Sequence, residues 1–247
     1  MFRLTMRQLA FVILTGSLAA PTASAASFTA EQRAEIVAIL REALRSDPSI
    51  LRDAMQALQA DEGARRDEAT RAVIAKNRDA LLADPTDPVA GNPAGNVTVV
   101  EFYDTRCPYC RSMLPSMAAL LKADPEVRLV YKDLPVLGPA SQLAARALLA
   151  AQRQGGYLRL QEALMQAAAP LTPEGIRAEA KRQGLDGDRL LHDMDDAATS
   201  ARLEANAKLA RDLNVEGTPA IIVGGKLVPG AMGLPALRAA VAEARRH

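Results

Sequence analysis

Two cysteines occur in the 247 residues, and only two other residues separate them: Cys107-Pro108-Tyr109-Cys110. Sulfurs spaced this way at the start of a helix come within disulfide range, and the helix N-terminus stabilises the first as a thiolate, the species that attacks disulfides. As a structural staple the pair is poor, because a bridge across two residues closes a tiny loop and removes little chain entropy. As half of a zinc site it lacks two ligands, and the only histidines, His192 and His247, are isolated in sequence. Reversible thiol–disulfide chemistry is the reading that needs no further partner, and it calls for no metal and no cofactor beyond a redox-active Cys107–Cys110 disulfide.

The flanking residues supply the required elements. Val97 to Tyr103 reads as a strand and Arg111 to Lys122 as a helix, which puts the motif at a strand-to-helix turn. A second strand, Val127 to Lys132, follows. Helices are then expected near 139–153, 156–168, 173–183 and 187–213, with Thr172-Pro173 as a start signal. Ala220 to Val223 and Lys226 to Val228 read as short strands joined by a Gly224-Gly225 turn, and a last helix begins near Pro235. The order is βαβ, a helical insert over about 139–213, then ββα.

Upstream, Arg3 and Arg7, an apolar run from Leu9 to Ala20 and Ala23-Ser24-Ala25 have the form of a cleaved secretory signal over residues 1–25. Residues 26–83 read as charged amphipathic helices. Thr29 and Gln32 form a capping box, and Ile36, Ile39, Leu40, Ala43 and Leu44 make one apolar stripe. Asp47-Pro48 restarts a helix carrying Ile50, Leu51, Met55 and Leu58, and a third helix is expected from about Ala64 to Leu82. Residues 84–96, with three prolines and two glycines, read as a linker to a catalytic domain over 97–247. Charge is balanced, 30 basic against 29 acidic residues, and aromatics are 3%, so neither nucleic acid nor an anionic membrane is indicated as a partner.

Val99-Val-Glu-Phe-Tyr-Asp-Thr-Arg-Cys-Pro-Tyr-Cys110 resembles the active-site segment of DsbA-like disulfide oxidoreductases, and Gly217-Thr218-Pro219 resembles the loop carrying their cis-proline. The resemblance implies an α/β thioredoxin fold with an inserted helical subdomain. The preceding amphipathic helices resemble the suppressor-of-copper-sensitivity C (ScsC) branch, which implies oligomerisation, a trimer foremost. It further implies a periplasmic protein disulfide oxidoreductase or isomerase acting on cysteine-containing exported proteins and reset by a membrane redox partner. Cys107 would attack and Cys110 would resolve. Glu101, in the strand beneath the motif, would be a buried carboxylate of raised pKa that moves the proton Cys110 must lose, and Lys132 is a candidate partner for it. Pro108, Tyr109, Thr218 and Pro219 would meet substrate, Thr218 by offering backbone groups to an extended peptide. Tyr109 departs from the histidine of the most oxidising members, which puts a strongly oxidising potential in doubt. A monomeric dithiol oxidase and a Cu(I)-binding protein are the competing readings.

Overall fold

The computed structural model describes residues 28–167 and 171–246, so the expected signal segment lies outside the described residues. The chain divides into two compact units, Met1–Leu58 and Gln59–His247. The first unit holds α1 (Ala30–Ser46), opened by the Thr29–Gln32 capping box, and the start of α2 (Ser49–Lys76). No residue of α1 is buried, and Ile39 and Leu58 are 61% and 58% exposed. Asp47 accepts from the Ser49 amide at 3.0 Å, so the second helix starts one residue later than the Asp-Pro pair suggests. It then runs unbroken past Gly63, since one interior glycine costs only about 1 kcal/mol among good helix formers. The helix expected from about Ala64 to Leu82 is therefore the end of α2 followed by the short α3 (Arg78–Leu82).

In the second unit, β1 (Val89–Gly91), β2 (Val97–Tyr103), β3 (Val127–Asp133), β4 (Ala220–Val223) and β5 (Lys226–Pro229) form a sheet in the order β1-β3-β2-β4-β5. β2 and β3 are parallel, in register from Val97↔Val127 to Tyr103↔Asp133, and the other pairings are antiparallel. Helix α4 (Pro108–Ala123) joins β2 to β3. Between β3 and β4 lie α5 (Pro139–Gln152), α6 (Tyr157–Gln166), α7 (Pro173–Arg182), α8 (Gly187–Met194) and α9 (Ala197–Asp212). Where one helix is expected over 187–213 there are two, because the Asp196 side chain accepts from the Ala198 amide at 2.8 Å and caps a new start. Gly224 and Gly225 both take positive φ in the β4–β5 turn, as a tight hairpin requires, and α10 (Leu234–Ala244) closes the fold.

β2 and β3 are covered on both faces, which is why they read as nearly continuous apolar runs. One face carries Val99, Leu129, Ile221 and Val223 into a core shared with α4, α10 and the insert. The other carries Val100, Phe102, Val130 and Ile222 against Ile74, Leu81, Leu209 and Leu213.

The segment 84–96 is not a free linker. It contains β1, and buried Asp87 pairs with Lys132 at 2.5 Å. Arg202 on α9 pairs with both Asp84 and Asp87, and Lys132 also donates to the Ala80 carbonyl at 2.6 Å. The prolines stop any helix but leave three residues free to pair, too few to show an alternating pattern. Asp87→Ala strands the Lys132 ammonium in the interior and should cost about 3–5 kcal/mol in urea unfolding. Lys132→Met leaves Asp87 with Arg202 and should cost less.

Candidate active site

β2 ends at Tyr103, and the chain turns into α4 within four residues. The Asp104 carbonyl accepts from the Cys107 amide at 3.0 Å, and the Asp104 carboxylate accepts from the Arg106 amide at 2.7 Å. Its other oxygen accepts from the Val136 and Leu137 amides at 2.9 and 3.1 Å, tying the β3–α5 loop to the motif. Cys107 is the N-cap of α4, Pro108 is at the first helical position, and Cys110 lies in the first turn. Both cysteines are free thiols and both are buried.

Thr218-Pro219 is cis, and the Thr218 carbonyl accepts from Cys107 Sγ at 3.1 Å. Two segments 111 residues apart thus meet at one sulfur. Pro108 and Tyr109 are exposed beside it, Tyr109 by 68%, and Val136 and Leu137 extend the apolar rim. Of the histidines, His192 lies on α8 beside Asp193, and His247 lies outside the described residues.

Burial pushes the Cys110 thiol well above the ordinary range, and the charges of Glu101 and Cys107 push it further the same way. Glu101 is fully buried on β2, and desolvation raises its carboxyl from 4.5 to about 8. The expected Lys132 partner is not there. Lys132 lies level with Phe102 in the β2–β3 ladder, and Tyr131 is level with Glu101, so parity sends the ammonium to the opposite face of the sheet. The Lys132 side chain is fully buried on Asp87 instead.

A second buried carboxyl escaped the sequence reading. Asp133 accepts from Tyr103 Oη at 3.1 Å and Tyr157 Oη at 2.8 Å, and the two hydroxyls are 2.6 Å apart. Burial raises it to about 7, against the pull of both tyrosine hydrogen bonds. Asn206 on α9 donates to its backbone carbonyl at 3.1 Å, so this cluster joins the sheet to the insert. Asp104 carried a weak signal, an Asp two residues before an arginine in a turn; Asp133 carried none, because its partners come from elements far apart in sequence.

The Glu101 shift has a definite pH consequence. An acid whose folded pKa is raised destabilises the fold progressively as pH rises from its unfolded value near 4.5 to about 8. Glu101→Gln should therefore leave Tm nearly unchanged at pH 4.5 and raise stability by roughly 3–5 kcal/mol at pH 8. Calorimetry across that range checks both the sign and the window.

The DSBA-like thioredoxin domain family matches residues 98–242, and the copper resistance protein ScsC N-terminal domain matches residues 32–65. The crystal structure of a thioredoxin-like oxidoreductase from Silicibacter pomeroyi is 44% identical, with TM-score 0.67, covering 69% of this chain and 99% of its own. Proteus mirabilis ScsC in a transitional conformation is 30% identical, with TM-score 0.65, over 90% of this chain and 98% of its own. The thiol:disulfide interchange protein DsbA of Burkholderia cepacia is 24% identical over 66% of this chain and 79% of its own length. A Na(+)/H(+) antiporter NhaA 3 from Salinispora tropica is 34% identical over 66% of this chain, which spans about a quarter (26%) of that antiporter. Because the DSBA-like match covers more than half of the sequence and takes in most of the sheet, the cysteine turn and the proline loop together, the chain belongs to the DSBA-like thioredoxin domain family.

Proposed function

We propose that this chain is an exported, periplasmic thiol–disulfide oxidoreductase that acts on cysteine-containing proteins, working as an oligomeric isomerase or reductase. The observation that carries this reading is the meeting of Cys107 Sγ with the Thr218 carbonyl at 3.1 Å. This supports the reading because the sulfur at the helix start lies next to a backbone carbonyl, the kind of group with which an extended client can pair.

In the reductive direction the Cys107 thiolate attacks one sulfur of a client disulfide. A Cys107–client disulfide forms and the client's other sulfur leaves as a thiolate. Cys110 then gives up its proton and attacks Cys107, closing the Cys107–Cys110 disulfide and releasing the reduced client. Two electrons pass from the pair to the client, and a membrane redox partner returns them. Glu101, in its ionised form, is the acceptor for the Cys110 proton. With its carboxyl raised to about 8, that form grows between pH 7 and 9. When a different thiolate of the client attacks the client sulfur of the Cys107–client disulfide before Cys110 does, a new client disulfide forms, Cys107 leaves as a thiolate, and the result is isomerisation with no net electron transfer.

Isomerase work gains from several sites acting on one client, and the first unit offers the means. Ile36, Ile39, Leu40, Leu44, Ile50, Leu51, Met55 and Leu58 are all exposed. Full burial of such side chains is worth about 1.5–3 kcal/mol each, a strong drive to self-association. The match of residues 32–65 to the ScsC N-terminal domain supports this, with a trimer foremost. Mobility between catalytic domains cannot come from residues 84–96, which are pinned by β1 and Asp87.

Two experiments decide the reading. Cys107→Ser should abolish attack on a client disulfide, whereas Cys110→Ser should accumulate Cys107–client mixed disulfides on non-reducing gels. Labelling of Cys110 before Cys107 by an alkylating agent would reverse the assignment. Deleting residues 26–58, which spares Ile74 and the whole second unit, should give a monomer by light scattering that keeps dithiol exchange but loses refolding of a scrambled substrate. A full-length mature protein that is monomeric at micromolar concentration favours the oxidase reading, and stoichiometric copper lost in Cys107→Ser would favour metal binding.

A further inference from the structure

Two arginines flank the cysteine pair, Arg106 immediately before Cys107 and Arg111 immediately after Cys110, and the exchange chemistry gives neither a task. Arg111 lies one turn into α4, and its Nε donates to the Thr105 carbonyl at 3.0 Å. That bond holds its guanidinium against the turn residue that precedes Arg106. Both arginines are half-buried. Arg106 Nη1 and Arg111 Nη2 are buried outright, and neither atom has a hydrogen-bond partner among the described residues.

The two charges are close enough to act on one another. Burial lowers the Arg111 pKa, the charge of Arg106 lowers it further, and Asp104 pulls the other way. Asp104 does not neutralise the pair. One of its oxygens accepts from the Arg106 amide and the other from the Val136 and Leu137 amides. Neither arginine forms an ion pair among the described residues. The whole chain carries a net charge of only +1, so the positive charge here is local and not part of a general field. Two like charges in partial burial, each with an unfilled donor, are costly until an anion completes them. A carboxylate fits, because its two oxygens match the planar fork of a guanidinium.

We infer that Arg106 and Arg111 form a carboxylate clamp beside Cys107, which takes an acidic side chain one or two residues from the reacting cysteine of the partner polypeptide. The inference rests on the exchange reading above and adds a charge preference to it. In an extended polypeptide bonded to Cys107, each residue from the reacting cysteine advances about 3.3 Å, within reach of an arginine joined directly to Cys107. The Thr218 carbonyl can pair with any backbone, whereas the clamp reads a side chain.

The test uses the reduced, full-length mature protein and two synthetic peptides, each carrying one cysteine as a mixed disulfide with uncharged 2-thiopyridine. Glutamates flank the cysteine on both sides in one peptide and glutamines in the other. Cys107 attacks the peptide sulfur, and the pyridine thiolate leaves and takes up a proton as the coloured thione. Cys110 then closes on Cys107 and frees the peptide thiol. The readout is the ratio of the two second-order rate constants, in which any change in the intrinsic reactivity of Cys107 cancels. At low salt the glutamate peptide should react about fivefold faster than the glutamine peptide. Arg106→Gln and, independently, Arg111→Gln should each bring that ratio below about two, and Arg111→Lys, which keeps the charge but loses the fork, should hold it in between. Arg106→Gln removes no side-chain hydrogen bond among the described residues, so it carries the test if Arg111→Gln loses the fold with its bond to Thr105. Arg177→Gln removes the same charge from α7 and should leave the ratio as it was. A ratio near one in the parent protein, or a ratio that neither glutamine variant lowers, overturns the clamp while leaving exchange intact. An equal fall in Arg177→Gln assigns the preference to net charge and equally overturns it. No reaction with either peptide or with a small aromatic disulfide removes the exchange reading itself, and the clamp with it.

Discussion

The structure depends on β2 being buried from both sides. A central strand with solvent on neither face must place every side chain in a core, and strict alternation then decides which core. Val99, Glu101 and Tyr103 go to the face that carries α4 and the insert, while Val100 and Phe102 go to the face that carries Ile74, Leu81 and α9. The strand therefore delivers a carboxyl under the cysteine helix and, at its end, a tyrosine hydroxyl to Asp133. A one-residue slip against β3 would bring Glu101 to the Asp87–Lys132 side, so the register is itself a functional constraint.

The interior holds its ionisable groups in two ways. On one face Asp87, Lys132 and Arg202 are paired, and the pairs fasten β1 and α9 to the sheet. On the other, Glu101 has no hydrogen-bond or ion-pair partner among the described residues, and Asp133 has only neutral hydroxyls. Both of these carboxyls are raised, to about 8 and about 7, with burial as the leading cause. Paired charges of the first kind specify how elements dock. An unpaired carboxyl of the second kind destabilises the fold near neutral pH, and on the exchange reading its position beneath Cys110 gives that cost a chemical use.

The legible parts of the molecule were those written in local pattern. The turn at Cys107, the apolar runs of β2 and β3, the proline starts of α4, α5 and α7, and the paired glycines after β4 each carry a short-range signal with a mechanism. What failed was long-range. β1 is three residues long between prolines and glycines, and it exists only because β3 offers an edge. Lys132 and Glu101 lie on neighbouring strands, but strand parity puts them on opposite faces, which adjacency alone does not reveal. Asp133 draws its partners from β2, α6 and α9, so nothing near it in sequence announces a cluster. Asp104 was within reach, since an Asp at a strand end before a helix cap commonly organises the turn with its own side chain.

On the exchange reading, the geometry at Cys107 also links chemistry to client binding. In the dithiol state the Cys107 thiol donates to the Thr218 carbonyl, with Sγ 3.1 Å from the oxygen. Loss of that proton, or replacement of it by a bond to a client sulfur, leaves the carbonyl without its donor. A partly buried carbonyl without a donor is costly, and an extended polypeptide running past it supplies an amide N–H. On the exchange reading, the step that makes the sulfur nucleophilic therefore frees the acceptor that holds the client. Closing the Cys107–Cys110 disulfide uses up both thiols, so no thiol proton returns to the carbonyl until the pair is reduced. Client release then depends on how readily water replaces the client amide at Thr218, which makes exposure of this loop, as much as sulfur reactivity, a determinant of turnover.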